Sequence, residues 1–264
     1  MQGRAASGTV GALIGTLFAG STLVTPLYIM YKQAFGFTQI TLTLIYAVYV
    51  IGNLCALLLF GRLSDQIGRR PMAIAGIGLA ILSTFVFLFA HGTVSLYAGR
   101  ILSGLAIGIG AGTGTAWLAE LIGEESKTRA TVLATSANFT GLGLGALLAG
   151  LLAEYAPWPL HLPFAIYVLA LVVAAALVWF VPETVADPAR SLKAVSIRPR
   201  VSVPPEIRAK FVAPAVTGFG AMALVGFYAA LAPSLLANEL HITSHAVAGA
   251  IFLELAVVLP ARLS

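Results

Sequence analysis

The sequence predicts an all-α, polytopic membrane protein, and three observations carry that prediction. Hydrophobic residues make up 59% of the 264 residues and charged residues only 9%, where ordinary globular domains carry about 25% charged residues. Mean hydropathy is +0.96, and the apolar residues fall in runs of about 20, the length that crosses about 30 Å of hydrocarbon as a helix. The Lys and Arg residues cluster in the connections that a cytoplasmic N-terminus places inside.

The spans follow in order as 9–31, 41–60, 72–91, 95–119, 130–153, 160–181, 211–236 and 244–262. The first reads as a span rather than a signal peptide, because its apolar run continues past Ala19–Ser21 through Leu27 to Tyr31. Gly36 punctuates the turn to the second span. Gly61 closes the second and Pro71 precedes the third, while His91-Gly92 divides the third from the fourth. Lys127 and Arg129 lie before the fifth span, and Pro157 with Pro159 separates it from the sixth. Pro182 opens the longest polar connection. With Pro188, Pro199, Pro204 and Pro205 also in it, that stretch is a poor helix. The expected organisation is an N-terminal six-helix transmembrane bundle over 1–182, a cytoplasmic basic linker over 183–210, and a partial C-terminal bundle of about two helices over 211–264.

With the N-terminus in the cytoplasm, Arg4, Arg62, Arg69, Arg70, Lys127 and Arg129 all face inside, as do Arg262 and the basic residues of the linker. Of the 15 Lys and Arg residues, only Lys32 falls in an outside loop and only Arg100 within a span. The distribution obeys the positive-inside rule and predicts a multi-pass protein of the cell (inner) membrane, with the lipid bilayer as its main partner. A net charge of +5 does not point to nucleic acid, because no basic stripe with interleaved aromatics is present. Cys55, the one cysteine, reads as a small buried apolar residue.

The stretch GRLSDQIGRRP, Gly61–Pro71, concentrates charge between two apolar runs. Gly61 is expected to end span two in a left-handed conformation, and Gly68 to allow a second reversal. Asp65 stands one helical turn before Arg69, where it can pair with that guanidinium or cap the next helix. A plain positive-inside turn accounts for the arginines but requires neither the aspartate nor two glycines at this spacing. The stretch resembles the signature between helices two and three of the major facilitator superfamily, roughly G-x-L-[AGS]-D-[RK]-x-G-R-[RK], with Gln66 at a usually basic position. Arg100–Gly108, RILSGLAIG, resembles the fourth-helix pattern of an arginine followed four residues later by a glycine, here Gly104. Gly141–Gly150, GLGLGALLAG, resembles the fifth-helix signature associated with antiporters, with Ala146 and Ala149 replacing a proline and a glycine. Pro182-Glu183-Thr184 resembles the PET that ends helix six.

The resemblance implies a six-helix bundle plus about two further transmembrane helices. It also implies secondary active transport of a small-molecule substrate by alternating access. The cytoplasmic gating motif would then be Gly61, Asp65, Gly68, Arg69 and Arg70, joined in a charge cluster by Glu120 or Glu124 and by Arg129. Arg100 either snorkels to the outer edge of its span or joins a hydrogen-bond network beneath the outer mouth of a cavity. Gly104, Gly108 and Gly112 recur along one helix face, as do Gly141 and Gly145 with Gly150 beyond, and both sets read as small-xxx-small packing. GIGAGTG is no phosphate loop, since no strand precedes it.

Thr22, Thr25 and Tyr28 share a face of span one, and Thr131, Thr135 and Asn138 share a face of span five. Both sets read either as cavity lining or as groups satisfying their own helix. Glu254 is the only carboxylate near a span centre, which makes it the candidate site for a coupling proton. Sparse intramembrane charge and the fifth-helix resemblance point to efflux of drug-like compounds, with a sugar or organic-acid uptake permease as the alternative. Because the superfamily usually has twelve helices in two halves, a truncated, transport-incompetent fragment is the other reading. No metal-ligand cluster and no nucleophile–base pair is visible, so neither a cofactor nor enzyme activity is expected. Nothing in the sequence sets an oligomeric state.

Overall fold

The computed structural model describes residues 3–123, 126–188 and 207–238, with positions 244, 247 and 250. Helices account for the regular structure, and no strand occurs among the described residues. The first expected span is two helices, α1 (Arg4–Leu23) and α2 (Tyr28–Phe35). Pro26 has no N–H with which to continue the ladder, so the chain makes a tight turn there. Thr25 N–H donates to Thr22 O at 2.9 Å and Leu27 N–H to Val24 O at 3.1 Å. Gly36, at φ 65°, ends α2 as a left-handed cap.

α3 (Gln39–Phe60) starts on Thr38, whose side-chain oxygen accepts the Thr41 N–H at 3.3 Å. A short α4 (Leu63–Ile67) then leads to Gly68 and α5 (Arg69–Leu88). Gly61 has φ −55°, an ordinary right-handed value, so it does not end α3 in the expected left-handed conformation. α4 carries the chain round instead, and only Gly68, at φ 114°, uses glycine's freedom. α6 (Thr93–Ile122), α7 (Lys127–Tyr155) and α8 (Leu162–Trp179) complete the six-span bundle, and α9 (Arg208–Asn238) covers the seventh expected span. Glu124, residues 189–206 and Glu254, with most of the eighth expected span, lie outside the described residues.

α1 and α6 form the middle of the bundle. α1 packs on α6, α7 and α8, while α6 also packs on α3, α5 and α7. Burial follows this plan, with 67% of the first span's apolar window inside the bundle against 22% of that of α3. The outward side of α3 repeats Ile40, Leu44, Ile51, Leu54 and Leu58, an apolar stripe suited to hydrocarbon. Cys55 is exposed rather than buried. The inward face of α3 is Leu42, Ile45, Gly52 and Ala56, and Cys55 sits one residue, about 100° of turn, off that face.

Lipid tails are as apolar as leucine, so close packing rather than hydrophobic burial holds such helices together. A Cβ on Gly141 would run into the backbone of Gly15, and one on Gly145 into the backbone of Ala19. On α6, a Cβ on Gly104 would strike the Tyr49 carbonyl, and one on Gly108 the Ala56 side chain. Gly112 meets only Leu57, at 3.6 Å, and so stands outside that tight seam. Gly150 is buried on α7.

Candidate functional site

At one end of the bundle α4, the start of α5, the end of α6 and the chain after α8 converge on Arg69, whose side chain is 7% exposed. Its Nη1 lies 2.5 Å from Asp65 Oδ1 and donates to Ser64 Oγ at 2.6 Å. Nε donates to Glu120 Oε2 at 3.0 Å, and Nη2 donates to Glu120 Oε1. The planar guanidinium thus grips Glu120 with two parallel bonds, the geometry that gives Arg–carboxylate pairs their strength. The Thr184 hydroxyl also donates to Glu120 Oε2.

Asp65 pairs with Arg69 rather than capping α5. The cap is Glu183, whose carboxylate accepts the N–H groups of Arg69 at 2.8 Å and Arg70 at 2.9 Å. A helix start presents unpaired N–H groups and the positive end of the helix dipole, so a carboxylate there is favoured on both counts. Glu183 also accepts the N–H of Thr184 at 3.0 Å and of Val185 at 3.2 Å. Arg70 Nη2 donates to Val181 O at 2.6 Å and Trp117 Nε1 to Pro182 O at 3.0 Å. Val181–Thr184 is therefore stitched to both α5 and α6. Arg129 is exposed at the start of α7 and makes no ion pair among the described residues, and Glu124, the other expected acid of the cluster, lies outside them.

Gly68 is the hinge of the arrangement. A Cβ there would lie 2.8 Å from Glu183 Oε2 at a φ that L side chains rarely adopt. Gly68→Ala is expected to cost about 1–3 kcal/mol, the usual range for a strained backbone position. The thermal unfolding midpoint in detergent would register it; an unchanged midpoint would contradict the account.

Towards the other end, Arg100 is 1% exposed. It turns inward rather than snorkelling. Nε donates to Tyr28 Oη at 2.5 Å and Nη1 to the Ser21 carbonyl at 2.7 Å. The rings of Tyr28, Tyr46 and Tyr49 lie 5.3, 5.0 and 5.6 Å from its guanidinium carbon, within cation–π range. The Ser21 carbonyl is free because the break before Pro26 diverts the Thr25 N–H to Thr22. Arg100 thus caps the break in the first span. Tyr46 Oη donates to Thr25 Oγ1 at 3.0 Å, and Thr22 Oγ1 donates to Leu142 O at 2.7 Å, tying α1 to α7. Thr22, Thr25 and Tyr28 are all buried in these contacts among the described residues, the arrangement expected of groups that satisfy the bundle's own backbone and side chains.

The span-five residues behave differently. A cavity of about 300 Å³ opens between α1, α3, α6 and α7, and its polar lining is Asn53, Thr115, Thr131, Thr135 and Asn138. Ile14, Phe18, Leu57 and Ile107 supply apolar wall, and no ionisable side chain contributes among the described residues. Thr115 and Thr131 donate to their own helix, at 2.8 and 3.1 Å, so their hydroxyls keep only acceptor capacity. Asn138 Oδ1 is buried without a hydrogen-bond partner among the described residues. A larger groove of about 550 Å³ lies across the α1–α7 seam, where small and apolar residues dominate and the polar lining is Thr16, bonded to its own helix, with Ser136, Thr140 and Tyr167. Polar groups converge in the smaller cavity.

The sequence pattern of the Major Facilitator Superfamily matches residues 10–263. The chain belongs to the Major Facilitator Superfamily. A Rickettsia felis protein named "Uncharacterized transporter" is 31% identical to it over 151 residues, 56% of this chain and 36% of that protein. The chloramphenicol resistance protein CraA of Acinetobacter baumannii is 24% identical over 142 residues, 54% of this chain and 34% of CraA. The match spans about a third of the length of each of these relatives. The crystal structure of a D-xylose-proton symporter superposes with a TM-score of 0.66 at 17% identity, covering 96% of this chain and 66% of that one, and so shares the fold.

In this major facilitator chain, two groups carry geometry that the motifs alone did not assign. Glu183 is visible in Pro-Glu-Thr, but its capping of a helix 114 residues earlier in the chain depends on how α5 and α8 meet. Asn53 had a local signal, a carboxamide inside the apolar run of α3.

Proposed function

We propose that this chain exports small, drug-like organic solutes as a secondary transporter working by alternating access. The observation that carries the reading is the uncharged cavity walled by four helices, with amides and hydroxyls set among apolar side chains. Pockets of this composition suit organic solutes with a few polar groups. The resistance named in CraA is consistent with export. The N-terminus and the Gly61–Pro71 end are taken to be cytoplasmic on the charge distribution. The Arg69–Glu120–Glu183 cluster then acts as a latch, holding α4, α5 and α6 together in one state of the cycle. Glu254 is the proposed proton site.

The test is flux in proteoliposomes containing the purified chain and an imposed pH gradient. Chloramphenicol is expected to move against its gradient, and Glu254→Gln to abolish the pH dependence. D-Xylose flux without chloramphenicol flux would replace the reading with sugar uptake; no flux of chloramphenicol, D-xylose or a lipophilic cation would end it.

A further inference from the structure

The inference concerns which solutes the cavity admits, and it rests on the transport reading above. We infer that Asn53 and Asn138 form a carboxamide pair that selects uncharged solutes bearing hydroxyl or N–H donors. The two amides project from different walls, α3 and α7, into the same cavity. Asn138 Oδ1 is a buried acceptor that no donor reaches among the described residues, and Asn53 likewise makes no hydrogen bond among them. A buried acceptor without a donor is unfavourable until something supplies one. Asn53 Oδ1 lies 2.8 Å from where a Cβ on Gly108 would stand, so a glycine on α6 leaves the room this amide occupies. The Thr135 hydroxyl, also in the lining, makes no hydrogen bond among the described residues.

The same lining argues against ions. Among the described residues no Asp, Glu, Lys, Arg or His contributes to it, so an entering ion would lose hydration and gain no counter-charge from this wall. The buried charges nearest in the chain are already engaged, Arg100 by tyrosines and a carbonyl, Arg69 by carboxylates. Phe18 and Leu57 instead offer apolar wall to a solute's ring. The ligand class is therefore an uncharged amphiphile with an apolar ring and hydrogen-bond donors.

The experiment is equilibrium binding to the full chain in lipid nanodiscs, with two probes. Chloramphenicol is uncharged and carries hydroxyl and amide donors on an aromatic ring; tetraphenylphosphonium is a permanent cation with no donor. Wild type is expected to bind chloramphenicol and to discriminate against the cation. Asn53→Ala and Asn138→Ala should each raise the chloramphenicol Kd about tenfold, one hydrogen bond's worth. Asn138→Asp should shift preference towards tetraphenylphosphonium, a gain that a misfolded variant cannot produce. Unchanged chloramphenicol affinity in both alanine variants, equal binding of the two probes, or binding of neither overturns the inference. Proteoliposome flux separates it from the reading beneath: tetraphenylphosphonium transport without chloramphenicol transport defeats the carboxamide selection and leaves transport standing. Transport of neither probe defeats both.

Discussion

Gly141→Ala is expected to be among the most destabilising single methyl additions in this bundle, while Gly78→Ala on α5 is expected to stabilise it. The new Cβ at Gly141 would stand inside the backbone of Gly15 on α1, where no side chain can rotate away. The two helices would have to separate, and the neighbouring approach of Gly145 to Ala19 would open with them. α1 also packs on α6 and α8, so the displacement is not confined to one face. Overpacking usually costs about 1–3 kcal/mol, and a clash between two rigid backbones belongs at or above the top of that range. Gly78 is exposed on α5 with nothing within 4 Å of its would-be Cβ. There the methyl only removes backbone freedom, a gain of about 0.5–1 kcal/mol. Thermal unfolding of the two variants in one detergent compares them directly, and a shift of the same sign in both would overturn the packing account.

Arg69→Lys is expected to be nearly as damaging as Arg69→Ala, despite keeping the charge. Arg69 serves Asp65, Ser64 and Glu120 at once through three nitrogens. A lysine ammonium is a single point and cannot reproduce the two-pronged grip on Glu120. The expected loss is about 1–3 kcal/mol, the range for leaving such partners unmet, with a fall in transport of at least tenfold if the latch governs the cycle. Exchanging Arg69 and Asp65 is not expected to rescue, although the two touch, because the exchange sets an aspartate against Glu120. In double-mutant cycles Arg69 should couple more strongly to Glu120, 37% exposed, than to Asp65, 55% exposed. Equal coupling would show that the bidentate contact has no special weight.

Much of this could be read before any helix was placed. Arg100, Arg69 and the glycines of α6 and α7 stood out in the sequence because charge and four-residue spacing are unusual inside apolar runs. What those residues touch was less legible. Thr22, Thr25 and Tyr28 shared a face with the look of cavity lining, yet Arg100, Tyr46 and Leu142 occupy that face. Arg129 had the right charge and the right turn for the cluster but points out at the start of α7. Asp65 had the right type for a helix cap, and Glu183 took the position.

The sequence by itself determined that the chain is helical and built for a membrane. Backbone groups in hydrocarbon must be satisfied within their own segment, so runs of about 20 apolar residues leave a helix as the available form. It also marked Gly68 as a reversal, because glycine tolerates a backbone angle that other residues resist, though not the break at Pro26 inside the first expected span. Only the tertiary structure decided which polar groups meet. Partners such as Glu183 and Arg69 are far apart in the chain. Their approach depends on how α5 and the end of α8 meet, just as the closeness of α1 to α7 and of α3 to α6 is set by missing side chains at Gly141, Gly145, Gly104 and Gly108.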